Sequence, residues 1–253
     1  MIFGYNALDL TSVLLLALAP SLIWLFFYLK EDPHPEPRFW LGTMFAMGII
    51  LAPIVISFEM IFGKIIGTFA DGSLAAGLLL FCFAPLVEET AKYGTVHLAM
   101  NKNPVIDEPV DPMIYVITAA LGFAAIENVF AVFSFIPVGD PGYLYAAFNF
   151  LSMRFITAVA LHGLASSISG YYFAKFYFFE RKARLIFKGV IFASIFHGAY
   201  NFLIVRNGAT LPTILAAVLL GGGAAAAIIM FHKLKYPQTY QQPAVDETRA
   251  KEI

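Results

Sequence analysis

Residues 73–99 read SLAAGLLLFCFAPLVEETAKYGTVHLA, and the fold follows from how this stretch is classed. A bilayer-spanning helix needs about 20 mainly apolar residues, and this run exceeds that length. Its interior nevertheless carries Glu88, Glu89 and Lys92. Glu88 and Lys92 stand at i and i+4, and Glu89 at i−3 from Lys92, so all three share a helical face and offset one another's charge in part. Pro85, one turn earlier, removes a backbone hydrogen bond and bends the helix. The stretch reads as a transmembrane helix with polar chemistry inside it.

Six further apolar runs of spanning length flank it, at roughly 8–29, 39–62, 113–135, 147–176, 185–205 and 211–231. The expected fold is all-α and integral to the membrane, with about seven transmembrane helices in one bundle. Composition agrees: 60% of residues are hydrophobic and 13% charged, with a mean hydropathy of +0.76. A soluble domain keeps about 25% charged residues to face water. The net charge of −1 gives no field for a nucleic acid, so none is expected as a partner, whereas the lipid bilayer is. Cys82 is the one cysteine, which excludes an internal disulfide and a cysteine-based zinc site. Residues 1–10 hold Asp9 and no Lys or Arg, unlike a cleaved signal, so the first segment is expected to be retained. The membrane domain is taken as 1–236, and the polar tail 237–253 is expected to be disordered.

Positive charge sets orientation. Alternate loops and the C-terminal tail hold Lys30, Arg38, Lys102, Lys175, Arg181, Lys182, Arg184, Lys188, Lys233, Lys235, Arg249 and Lys251, against Lys64 and Arg206 on the other side. That bias of twelve to two places the N-terminus outside and the C-terminus in the cytoplasm.

Ionisable groups at mid-membrane cost several kcal/mol, which makes each a functional candidate. Beside Glu88, Glu89 and Lys92, the fourth segment has Phe123-Ala124-Ala125-Ile126-Glu127-Asn128, and the fifth has Arg154, His162 and Ser166. The sixth has His197-Gly198 with Asn201 at i+4 from the histidine. At about 1.5 Å rise per residue, Glu88, Glu127, His162 and His197 fall within roughly 8 Å of the midplane. Gly94, Gly122, Gly163 and Gly198 let helices approach closely near them. A lone membrane histidine is more often interhelical glue, and the Glu–Lys group read alone could be a structural ion network. Four helices with polar groups at one depth favour a shared site. Arg154 is expected to snorkel or to balance a carboxylate, Glu59 and Asp71 to lie near the outer surface, and the aromatic run 173–179 to be lipid-facing or an interfacial belt.

These residues carry a resemblance. Glu88-Glu89-Thr90-Ala91-Lys92 resembles the EExxK motif of PrsW-type intramembrane proteases, and Phe123 to Asn128 their FAxxEN motif. His162 and the HxxxN arrangement of His197 and Asn201 follow in order, over about 74–205. The group is similar to the type II CAAX prenyl endopeptidases and, more distantly, to a non-catalytic subunit of γ-secretase. In the CAAX enzymes the second motif ends in His and the first in Arg. Glu127 and Lys92 stand there in this chain, as in the PrsW branch. The resemblance implies an intramembrane metalloprotease, with a single-pass membrane protein such as an anti-sigma factor as its substrate.

Peptide hydrolysis needs an activated water and a stabilised oxyanion. A carboxylate in a low-dielectric site can serve as general base, and Glu88 is the candidate, with Glu89 held by Lys92. Glu127, His162 and His197 are the ligand types of a catalytic zinc, and Asn201 could donate to the oxyanion. Asn128 joins the catalytic set through its motif. In a metal-free alternative, Glu88 and Glu127 polarise the water directly, with His197 and Asn201 as oxyanion donors. Two other classes compete. An ion-coupled transporter commonly shows repeated halves with broken helices, which are not visible here. A membrane scaffold or binding protein would keep the helices and lose the acid or base.

The orientation has a direct check. After Cys82 is replaced, single cysteines beside Arg181 and beside Gly139 should meet an impermeant thiol reagent differently in intact cells. Only the Gly139 loop should label; labelling beside Arg181 would invert the topology.

Overall fold

The computed structural model describes residues 7–100, 106–136, 142–205 and 210–236. Among these residues there is no strand, and seven helices are long and apolar enough to cross a membrane. They are α1 (Ala7–Leu29), α2 (Arg38–Ile66), α3 (Gly72–Met100), α4 (Asp111–Phe135), α5 (Tyr143–Glu180), α6 (Ala183–Val205) and α7 (Thr210–Lys235). The multi-pass membrane fold read from composition is therefore present. The tail 237–253, the loop at Gly139, and Lys102, Arg206, Arg249 and Lys251 of the charge count lie outside the described residues.

The bundle is organised around α4. Every residue of 111–125 is buried, with α1, α2 and α5 packed on it. A helix apolar on all sides suits a position with neighbours on all sides. Lipid tails are as apolar as leucine, so helices associate in a bilayer by close van der Waals fit rather than by escape from water. The α2–α4 crossing has that fit. A Cβ on Gly48 would stand 1.9 Å from the Ala119 carbonyl oxygen, and one on Gly122 would stand 2.1 Å from that of Phe45. Gly163 receives the Tyr28 ring of α1, and Gly198 of α6 lies on the Phe81 carbonyl of α3. Gly94, expected to be another close-approach point, faces open space.

Pro85 stands next to an irregularity of α3. Just before it, residues Leu78–Phe83 of α3 form a wide i→i+5 turn, and a second, Phe155–Val159, interrupts α5 before His162. Both lie within about two turns of the polar residues, where such bulges often mark function. α5 runs for 38 residues, about 57 Å at helical rise, well beyond a hydrocarbon core of about 30 Å. Its C-terminal part is not purely an interfacial belt. Phe173 is fully buried and meets Tyr93 edge-on at 4.9 Å. Arg181, in the left-handed conformation, ends this helix.

Alanine at Gly48 or Gly122 should destabilise the protein by about 1–3 kcal/mol through overpacking. Gly222→Ala should be neutral or slightly stabilising, because nothing lies within 4 Å of that position. Melting curves of the three variants in one detergent test the contrast.

Candidate active site

In α3 the site begins with two carbonyls that the helix itself cannot satisfy. Pro85 has no N–H for the Phe81 oxygen, and the wide turn leaves that of Leu80 free as well. In a bilayer such groups need protein partners. Asn201 Nδ2 donates to Leu80 O at 3.1 Å, while Gly198 permits α6 to rest on Phe81 O. This crossing brings α6 against α3 and sets His197 Nδ1 3.2 Å from Glu89 Oε1. Asn201 therefore spends one of its two amide protons on helix packing.

Lys92 is the hub. It is fully buried, and its Nζ donates to Glu88 Oε2 at 2.9 Å and to Glu89 Oε1 at 2.8 Å. It also lies 2.9 Å from His162 Nδ1 and 4.7 Å from the centre of the Phe123 ring. An ammonium has three protons and no acceptor, so the three contacts use all of them. His162 Nδ1 then accepts, which puts the ring proton on Nε2, 2.6 Å from Glu127 Oε2. Glu127 also meets Arg154 Nη2 at 3.3 Å. Arg154 Nε donates to Asn128 Oδ1 at 2.6 Å, and Asn128 Nδ2 donates to Ala17 O at 3.2 Å. A single polar chain thus runs from α3 through α5 and α4 to α1.

The two adjacent glutamates have different surroundings. Glu89 is completely enclosed, with Oε1 bonded to Lys92 and His197 and Oε2 to Ser166 at 3.4 Å. Glu88 uses Oε2 for Lys92, and its side chain keeps 10% exposure. Among the described residues its Oε1 has no hydrogen-bond partner, and neither has His197 Nε2. The His162 and His197 rings stand nearly perpendicular with centres 5.2 Å apart.

The residues expected from the sequence come together around Lys92 and the α3–α6 crossing. One donor atom each from Glu88, Glu89, His162 and His197 lies within 4.8 Å of the others, the spacing a metal ion requires. The expected ligand trio was Glu127, His162 and His197. Glu127 is not in the gathered group, because Arg154 and His162 Nε2 hold its carboxylate. Both ends of the Asn128 amide are committed, Oδ1 to Arg154 and Nδ2 to α1. Arg154 balances a carboxylate instead of snorkelling.

Glu59 was missed. Expected near the outer surface, it is half-buried and in electrostatic reach of Glu88, Glu127 and Lys92, with Oε1 enclosed and unpartnered. The only signal in the sequence is a solitary carboxylate inside the apolar run 39–62.

Residues 36–231 match the sequence profile described as PrsW family intramembrane metalloprotease. The chain belongs to the PrsW family. Protease PrsW of Geobacillus kaustophilus is 28% identical over 202 residues, covering 78% of this chain and 81% of that protein. Protease PrsW of Clostridioides difficile is 29% identical over 197 residues, covering 76% and 79%. That of Bacillus subtilis is 26% identical over 205 residues, covering 76% and 83%. No solved structure matches the chain. Membership in the PrsW family makes this protein a membrane-embedded protease.

Removing the hub cation should destroy more than activity. Lys92→Ala leaves Glu88 and Glu89 buried without their counter-charge, and breaking such a pair costs about 3–5 kcal/mol. Thermal unfolding in detergent should show a large loss of stability. A melting point equal to wild type would mean that the carboxylates are neutral without Lys92.

Proposed function

We propose that this chain hydrolyses peptide bonds of membrane-anchored proteins, with Glu88 as the general base. The observation that carries the assignment is the asymmetry of the glutamate pair: Glu89 is bonded at both oxygens, whereas Glu88 keeps one free. A water at Glu88 Oε1 gives up a proton as its oxygen adds to the substrate carbonyl carbon. The C–N bond then breaks, and Glu88 returns the proton to the leaving amine. Lys92 holds Glu88 and Glu89 in place and offsets their charge throughout. The second amide proton of Asn201 is available to the developing oxyanion, and His197, on the same face of α6, donates from Nδ1 to Glu89 and leaves Nε2 as an acceptor. His162 is a positioning residue, fixed by Lys92 on one side and Glu127 on the other.

The family description implies a metal. Two imidazoles and two carboxylates within 4.8 Å fit zinc in type and spacing, with Lys92 as the competing cation. Zinc held by Glu88, Glu89, His162 and His197 would polarise the carbonyl and acidify a water. Elemental analysis should then find about one zinc per chain, reduced in His197→Ala. Full activity after chelation would select the metal-free form of the mechanism.

The proposed substrate is a single-pass membrane protein, with an anti-sigma factor suggested by the resemblance to PrsW enzymes. The proposed orientation, N-terminus outside and C-terminus cytoplasmic, is supported by the distribution of lysine and arginine.

The test is Glu88→Gln. Glutamine keeps the shape and can still accept from Lys92, and it lowers the local charge, so melting should be unchanged. Cleavage of a single-pass substrate in liposomes should fall by at least about 10²-fold, the usual size of a general-base contribution. Undiminished cleavage would remove Glu88 from the chemistry and favour a non-catalytic, scaffold-like role for this group.

A further inference from the structure

A second group of carboxylates gathers far from the first, where α1 turns into α2 and the chain enters α4. Asp32 and Glu36 come from the α1–α2 connection, Asp107 and Glu108 from the segment before α4, and Asp111 opens α4 itself. Donor atoms of Asp32, Glu108 and Asp111 lie within 4.8 Å of one another, as do those of Glu36, Asp107 and Asp111. Asp111 belongs to both triads and is 1% exposed, with Asp32 and Glu36 also buried.

The backbone holds these groups in place without balancing them. Asp111 Oδ2 accepts from the N–H of Glu108 at 2.8 Å and of Asp107 at 3.1 Å. Asp32 accepts from the N–H of His34 and of Glu36, both at 3.1 Å, and Glu36 accepts from the Tyr115 hydroxyl. Asp111 Oδ1 is enclosed and has no donor, and the Glu36 carboxyl stands within bonding reach of Asp111, acceptor against acceptor. Among the described residues no lysine or arginine pairs with Asp32, Glu36 or Asp111. His34, on the open side, pairs with Glu108.

We propose that Asp111, with Asp32, Glu36, Asp107 and Glu108, forms a binding site for a hard divalent cation of the Ca²⁺ or Mg²⁺ class. Buried like charges this close demand a proton or a cation between them. One shared proton relieves one pair, whereas two triads meeting at a common carboxylate suit an ion. An all-oxygen donor set excludes a preference for soft metals. Burial first, and the neighbouring carboxylates after it, push the carboxyls of Asp32 and Glu36 above their usual range, so positive charge or a proton is favoured there. From Asp111 to Glu127 is about 24 Å of helix, so this site is separate from the mid-membrane group. The ion would clamp the α1–α2 connection to the start of α4, the helix that carries Phe123, Glu127 and Asn128.

The probe is Tb³⁺, a hard ion whose emission Tyr115 can sensitise from its place on Glu36, added to the full chain in nanodiscs. Wild type should give saturable emission displaced by Ca²⁺ or Mg²⁺, the more effective competitor naming the native ion. The same ion should raise the melting temperature. Asp111→Asn should weaken Tb³⁺ binding by at least about tenfold, since affinity follows ligand charge, and should abolish the thermal shift. If Asp111→Asn does not fold, Glu108→Gln, at the more open edge, should weaken binding severalfold. Glu88→Gln should leave the emission unchanged. The proposal fails if wild type shows neither emission nor shift, or if the signal depends on Glu88 and not on Asp111. It also fails if acid in EDTA stabilises the protein while no Tb³⁺ emission is seen, which assigns the cluster to shared protons.

Discussion

An ammonium at the centre of a bilayer is tolerable only if each of its protons meets an acceptor, and Lys92 meets that condition with Glu88, Glu89 and His162. Two acceptors lie on its own helix at i−4 and i−3, and the third comes from α5. The site therefore cannot be assembled by α3 alone, and α5 cannot be displaced without stranding a buried charge. From His162 the same logic passes to Glu127, from Glu127 to Arg154, and from Arg154 to Asn128 and α1. Three carboxylates of this chain, Glu88, Glu89 and Glu127, face two cations, and Glu59 lies within electrostatic reach. The excess negative charge is what a general base, a proton or a divalent metal ion would find there.

The backbone obeys a parallel rule. Irregular turns inside a membrane survive only where protein satisfies the carbonyls they release. Asn201 fills Leu80 O, and Trp24 Nε1 fills Phe155 O at 2.8 Å, each from a helix other than the one that is interrupted. The wide turns thus serve as joints: each fixes which neighbour packs beside the polar residues that follow. Glycine completes the contact where two backbones meet, at Gly48 with Gly122 and at Gly198.

Several parts of this arrangement were beyond reach in one dimension. Phe173 looks like a membrane-belt aromatic by composition, yet it fills the space beside Tyr93, because this part of α5 packs among residues of α2, α3, α4 and α6. Gly94 sits two residues past Lys92 but faces open space, whereas Gly48, far from any motif, lies at a helix crossing. Glu127 has a ligand's chemistry, but Arg154, on another helix, captures its carboxylate. Ser166 stands one turn from His162 on the same helix, yet its hydroxyl goes to Glu89 across the bundle.

The sequence by itself determined the seven apolar segments, the all-α membrane fold, the pairing of Lys92 with Glu88 and Glu89, and the common depth of the polar residues. Length, hydropathy and i,i+4 spacing are properties of single helices, and they can be counted along the chain. Only the tertiary structure decided which glutamate keeps a free oxygen, that Glu59 lies within electrostatic reach of the site, and that the metal-spaced donors are Glu88, Glu89, His162 and His197. Those outcomes depend on helix rotation about the axis and on which helices touch. Both are set by glycine crossings and by competition among buried charges for too few partners, and neither leaves a periodic trace in the chain.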